Sequence, residues 1–248
     1  FWEANVMEVA LNGYATSDPE GKRARTVGIT ALIAVVDPDL RAAATDALRS
    51  VFPVAEIIAR SGVHAALEAV RAARPHARDW LVLDVGDEGT AAIVIRQGVI
   101  ESQTYLPEGL RSILGRISGG QASDTVLSTM RMIGHEECST PECLSMQTTL
   151  AKVEPDLAHA FGESLMKIAA PLRLPNTLVL FAHPDIAIWL GRFFTRIDFT
   201  QCTETSQPFD VNTLRTVDLS PEVGASGQTP SVELSIALTL INKETFPA

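Results

Sequence analysis

The segment WLVLDVGDEGTAAIVIRQGVI, Trp80 to Ile100, constrains the fold more than any other stretch of the chain. It reads as strands joined by a short loop, Gly86-Asp87-Glu88-Gly89-Thr90. Trp80 to Val85, Ala91 to Arg96 and Val99 to Tyr105 are three apolar runs at hairpin spacing. The first run delivers Asp84 to a sheet edge. Gly86 and Gly89 let the backbone come close to a ligand. Thr90 offers a hydroxyl and its N–H. An acid at a strand end can hold a metal-bound water near a polyphosphate, while backbone N–H groups cradle the oxygens.

Strands and helices alternate around this segment. Val6 to Leu11 reads as a strand, Asn12-Gly13 as a turn and Ser17 to Gly21 as a polar loop. Thr26 to Val36 is rich in β-branched residues and reads as a strand. Asp37 suits a helix N-cap and Pro38 the first turn, with Leu40, Ala44, Leu48 and Val51 on one face. A strand is expected over Val54 to Ala59 and a helix over Ser61 to Ala73, ended by Arg74-Pro75. Further helices are expected over Leu106 to Ile117, Ala122 to Ile133, Glu154 to Leu172, Asp185 to Phe194 and Ser231 to Asn242. Strands are expected over Thr177 to Phe181 and Val211 to Val217. The order predicts an α/β fold with mixed sheets.

Composition excludes several classes of function. The net charge of −10 argues against nucleic acid, whose phosphates require Lys and Arg. No apolar run approaches the ~20 residues of a membrane span. Three cysteines make no disulfide framework, and a cytoplasmic setting is the default expectation. The chain opens Phe-Trp-Glu-Ala, without an initiator Met, as a fragment would.

The ordered motifs resemble the actin-like ATPase superfamily, and within it the bacterial FtsA and PilM branch. There a strand ending Asp-(Ile/Val)-Gly-Gly-x-Thr leads into a hairpin with Gly at its turn, here Gly98, and then a Pro-x-Gly helix start, here Pro107-Glu108-Gly109. Upstream, Asn12-Gly13, Pro19 to Ala24 and Thr26 to Val36 follow the family's order. Downstream, Ser123 to Met132, Leu178 to Phe181 and Pro230 to Leu240 do the same. The resemblance implies a ribonuclease-H-like, actin-type fold, N-terminally truncated. Residues 1–78 would be the remnant of an FtsA-type inserted subdomain and first lobe, and residues 79–248 the second lobe. It implies ATP with Mg²⁺ as cofactors, held by Asp84, Gly86, Gly89 and Thr90 and by the adenine-site residues Ala182 and His183.

Three departures from the pattern bear on activity. The first phosphate loop, an Asp-x-Gly-(Ser/Thr) hairpin, does not precede the rest. Ala182-His183-Pro184 stands where the adenine loop carries Gly-Gly, so side chains would crowd a base and Pro184 removes a donor. Asp87 and Glu88 replace a Gly and a neutral residue, and two carboxylates repel a polyphosphate unless a cation intervenes. The expectation is a scaffold resembling FtsA in cell division or PilM in type IV pilus assembly, with a degenerate nucleotide site and at most weak ATPase activity. It would bind protein partners, with self-association as a further role, and reach the inner face of the membrane through them. The family's PilM-like members hold the cytoplasmic peptide of an inner-membrane partner. The alternative is an active ATPase completed by a preceding lobe.

Other constellations are weaker. His135, Cys138 and Cys143 supply three ligands where zinc takes four, and read as a polar loop with two free thiols. Ser61-Gly62-Val63-His64 lacks a nucleophile elbow, and His64 reads as a packed or half-exposed helix residue. Glu101 and Glu108 read as acids on solvated faces. Trp189 and Phe193 read as core.

Overall fold

A computed structural model of the chain describes residues 3–57, 59–74 and 76–214. The chain divides into two compact units, Phe1–Ala69 and Val70–Ala248. The expected closing helix at 231–242 and the tail after it lie outside the described residues, as does the end of the strand expected over Val211 to Val217.

The first unit is built on a three-stranded antiparallel sheet of order β2-β1-β3, with β1 at Glu3–Leu11, β2 at Tyr14–Thr16 and β3 at Val27–Ala34. Asn12 and Gly13 both have positive φ, 52° and 85°, the geometry of a two-residue hairpin turn with Leu11 paired to Tyr14. Asp37 caps helix α1 (Pro38–Val51), its carboxylate accepting the N–H groups of Asp39 and Leu40. None of the α1 residues is buried, including the expected apolar face. Among the described residues of the range 54–59, the expected strand does not form. Phe52-Pro53 makes a turn instead, closed by the Ala55 N–H on the Phe52 carbonyl, and Val54 is fully exposed. β-branched residues without a neighbouring strand have no ladder to join.

At the end of this unit His64 is buried in a polar cluster. Its Nδ1 donates to the Glu3 carboxylate, and its Nε2 accepts from the Asn5 amide at 3.2 Å. The Ser61 hydroxyl accepts the His64 backbone N–H at 3.2 Å, so Ser61 starts the helix rather than facing the imidazole. Desolvation pushes Glu3 up, but hydrogen bonds from Ser61 and His64 outweigh it and hold the carboxyl below its ordinary range. The division between the units falls within helix α2 (Gly62–Ala73).

The second unit holds a five-stranded sheet of order β6-β5-β4-β7-β8. Its strands are β4 (Trp80–Val85), β5 (Thr90–Arg96), β6 (Val99–Leu106), β7 (Thr177–Phe181) and β8 (Asp210–Thr213). The first three form an antiparallel meander, while β7 pairs parallel to β4, and β8 parallel to β7. Trp80 to Leu83 and Val85 are buried, as a central strand covered on both faces requires. The β5–β6 turn uses Gln97 and Gly98, both at positive φ.

One face of the sheet, through Leu81, Leu83, Val94, Leu178 and Leu180, packs in a core with four helices. These are α3 (Leu110–Ile117), α4 (Ser123–Gly134), α5 (Pro141–Ala169) and α6 (Pro184–Arg196). Aromatic rings fill its centre: Phe161 meets Phe194 edge-on at 5.1 Å, and Phe193 meets Phe194 at 5.2 Å. Trp189 and Phe193 are core, as the sequence implied.

Two helix starts differ from expectation. Helix α3 begins at Leu110, because Leu106 completes β6 and Pro107 to Gly109 turn the chain. Helix α5 begins at Pro141, thirteen residues before Glu154. Thr140 caps it and Pro141 takes the first turn. Pro155, the second residue of the helix expected from Glu154, lies inside a helix anchored by buried Met146, Leu150, Leu157 and Phe161 on either side. Cys138 and Cys143 are disulfide-bonded rather than free, and among the described residues no group of His, Cys, Asp and Glu forms a metal site.

Phe161→Ala removes the ring shared by α5 and α6 and is expected to cost about 3–5 kcal/mol, read from urea unfolding.

Candidate functional site

The site develops from the carboxyl ends of two adjacent parallel strands, β4 and β7. Asp84 is in register with Phe181, so the loops leaving the two strands, 86–89 and 182–183, start side by side. In open α/β sheets this edge is where ligands bind. The structure therefore brings together the residues that the sequence singled out at 84–90 and 182–183.

The first loop is closed by the Gly86 N–H donating to the Gly89 carbonyl at 2.9 Å. The start of α3 docks directly onto it. The Leu110 N–H donates to the Gly86 carbonyl, and the Arg111 N–H to the Asp87 carbonyl, both at 2.8 Å. A helix N-terminus beside a loop is a ready anion site. Here its first donors are already taken by the loop's own carbonyls.

The approach is so close that Gly109 has no room for a side chain. A Cβ there would stand 2.3 Å from the Gly89 nitrogen and 2.7 Å from the Glu88 carbonyl carbon. Gly89 is equally confined, since a Cβ would stand 2.5 Å from the Leu106 carbonyl oxygen and 2.3 Å from the Tyr105 ring. Both glycines thus serve the packing of loop, strand and helix. The Thr90 side chain is completely buried, and its hydroxyl donates to the Glu108 carbonyl at 2.6 Å.

The tip acids also have an internal partner. The Arg111 guanidinium reaches Asp87 at 2.5 Å and Glu88 at 3.2 Å. The cation that could offset the two carboxylates is supplied by the first turn of α3. All three side chains are well exposed, so salt screens the contact. Sequence reasoning missed Arg111 because it lies 24 residues from Asp87, with no local spacing to signal the pair.

Glu108 was expected on a solvated face but is buried. Arg116 grips it with two N–H groups at 2.5 and 2.6 Å, and the Ser112 hydroxyl donates at 2.8 Å. Burial pushes the Glu108 carboxyl up, yet Arg116 and Ser112 outweigh it and hold the carboxyl below its ordinary range. Glu108, Ser112 and Arg116 are spaced i, i+4, i+8, a signal that was present in the sequence.

At the second loop, His183 is the N-cap of α6. Its Nδ1 accepts the Asp185 N–H at 3.3 Å, and its carbonyl accepts the N–H groups of Ile186 and Ala187 at 3.0 Å. Pro184 occupies the first turn, where its missing N–H costs nothing. Asp185 lies 3.6 Å from Arg131 of α4. Ala182 is partly buried against the core.

No protein-family model matches the sequence, and no curated protein matches it. Comparison of structures does find relatives. The chain superposes on a structure described as the "PilM-PilN type IV pilus biogenesis complex" with a TM-score of 0.60 and 16% identity. The match covers 99% of this chain and 66% of that one. The chain has the actin-like fold. Its five-stranded sheet, counted alone, follows the order 3-2-1-4-5 of a ribonuclease-H-like lobe. Ethanolamine utilization protein EutJ from Carboxydothermus hydrogenoformans also matches, over 60% of this chain and 47% of that one, at 15% identity. Its TM-score of 0.31 carries no argument.

Two predictions test this geometry. Gly109→Ala forces backbone apart at Gly89 and is expected to cost at least about 1–3 kcal/mol, read from urea unfolding. Glu108 contributes stability that is full above its unfolded pKa, about 4.3, and lost as pH falls through its lower folded value. Glu108→Gln is therefore expected to lower stability at neutral pH and to flatten the acid limb below about pH 4.3, measured as urea midpoints against pH.

Proposed function

We propose that the chain is an actin-like scaffold of the PilM kind that works by holding protein partners, with a degenerate nucleotide site. The observation that carries this reading is that the groups of a phosphate loop already have internal partners. The N–H groups that open α3 are bonded to the Gly86 and Asp87 carbonyls, and the Thr90 hydroxyl to the Glu108 carbonyl. Asp87 and Glu88 occupy the space beside Arg111 that an anion's oxygens would seek. At the neighbouring loop the His183 imidazole and Pro184 stand where a base would need bare backbone.

The structural relative supports the type of partner. That relative is a complex of PilM with PilN in type IV pilus biogenesis, so the partner class to test is a PilN-like protein, through the cytoplasmic peptide that the family resemblance implies. Among the described residues no helix is long and apolar enough to cross a membrane, which suits recruitment through a partner. A division role of the FtsA kind would appear as binding to a tubulin-like filament protein instead.

A second reading, an active ATPase, draws on one observation: the loops after β4 and β7 start side by side, as an ATP site requires. Calorimetric titration with MgATP separates the two. The scaffold reading expects no binding up to on the order of 1 mM ATP. Replacing Asp87 and Glu88 together by Gly frees Arg111 for a phosphate and is expected to raise affinity by at least about tenfold, or about 1.4 kcal/mol. Micromolar binding by the unaltered chain would overturn the degenerate-site reading, and release of phosphate from the bound ATP would then establish the ATPase.

A further inference from the structure

The Cys138–Cys143 bond stands apart from the nucleotide loops and from the scaffold role. Its Cα atoms are 5.5 Å apart, an ordinary separation for a disulfide. Three features of its surroundings bear on what the bond does.

The two cysteines differ in exposure. Cys143 is completely buried in the core below α5, whereas Cys138 is half-buried on the α4–α5 linker between exposed Glu137 and Ser139. The two also differ in electrostatics. Cys143 lies in the first turn of a 29-residue helix, where its N–H donates to the Thr140 hydroxyl at 3.3 Å. A helix N-terminus favours a thiolate, while the burial of Cys143 opposes one. Finally, the bond spans a sequence separation of five. So short a loop restricts little of the unfolded chain, which makes the bond a weak staple of the fold.

The chain just before Cys138, at the end of α4, is held by bonds other than the sulfur bridge. The Glu137 N–H donates to the Met132 carbonyl at 2.9 Å, and the His135 N–H to the Arg131 carbonyl at 3.0 Å. Glu136 takes the left-handed φ of 61° that ends α4, and its carboxylate pairs with Arg192 of α6 at 3.0 Å. The approach to Cys138 therefore has its own hydrogen bonds, and none of them involves a sulfur atom.

We propose that Cys138–Cys143 is a reversible dithiol–disulfide site, opened by attack of a small thiolate such as glutathione on the Cys138 sulfur. The new bond joins glutathione to Cys138. The Cys138–Cys143 bond breaks, and its electron pair leaves on Cys143 as a thiolate at the head of α5, which then takes a proton from water. A second glutathione thiolate attacks the glutathione sulfur of the mixed disulfide. Glutathione disulfide departs, and the Cys138 thiolate is released and protonated. Two electrons pass from two glutathiones to the protein. The reverse sequence, from glutathione disulfide, closes the bridge.

Equilibrating the native chain in glutathione buffers of rising oxidised-to-reduced ratio tests the proposal. Samples are quenched in acid, then unfolded and alkylated, and the cysteine peptides are read by mass. Cys138 and Cys143 are expected to pass together from alkylated to protected, with Cys202 alkylated throughout. The Cys143→Ser variant is expected to hold one glutathione on Cys138. Cys138→Ser is expected to take up at least tenfold less on buried Cys143. Three results overturn the proposal: both cysteines alkylated at the oxidising limit, both protected at the reducing limit, or equal glutathione uptake by the two variants. The first two rest on the unaltered chain and do not depend on either variant folding.

Discussion

The Gly86 and Asp87 carbonyls accept the first two N–H groups of α3, and much of the second unit is arranged by that contact. It requires Gly109 to lie against the loop backbone with no side chain, and Gly89 to lie against β6. It turns Arg111 toward the loop tip and aligns Glu108, Ser112 and Arg116 along one side of the helix start. A helix whose opening N–H groups are bonded in this way presents fewer donors to an incoming phosphate. A packing contact and the chemistry of a phosphate loop thus compete for the same few backbone groups.

The second constraint is the parallel register of β4 with β7, Leu81 with Leu178 through Asp84 with Phe181. It sets two loops at one sheet edge whatever those loops contain. A fold of this type can therefore keep the position of a nucleotide site while its lining changes. On the proposed reading, Asp87 and Glu88 on one loop and His183 with Pro184 on the other are such changes. Each has a local role, the acids as partners of Arg111 and the histidine as a helix cap.

The fold was legible where local signals agreed. Asn12-Gly13 and Gln97-Gly98 mark two-residue turns, Asp37-Pro38 marks a helix start, and the apolar runs at 80–105 and 177–181 mark strands with little error. It was less legible where one signal had two meanings. Pro155 is the second residue of the helix expected from Glu154 but lies inside α5, because buried residues before and after it pay for the lost hydrogen bond. Val54 to Ile57 has strand composition, but no strand lies beside it. Of the site, the loop and its acids were visible, since glycines and carboxylates announce themselves. Arg111, the burial of Thr90 and the disulfide were not, because each depends on residues brought together by the fold. Cys138 and Cys143 offered their spacing alone, which fits a loop, a metal site or a bond equally well.

Amide hydrogen exchange at Gly86, Leu110 and Arg111, with and without MgATP, tests the central claim most directly. With the opening N–H groups of α3 bonded to the loop carbonyls, these amides are predicted to be protected without nucleotide and unchanged by it. Amides that exchange freely in the empty protein and become protected on adding MgATP would contradict the account and show a working phosphate site.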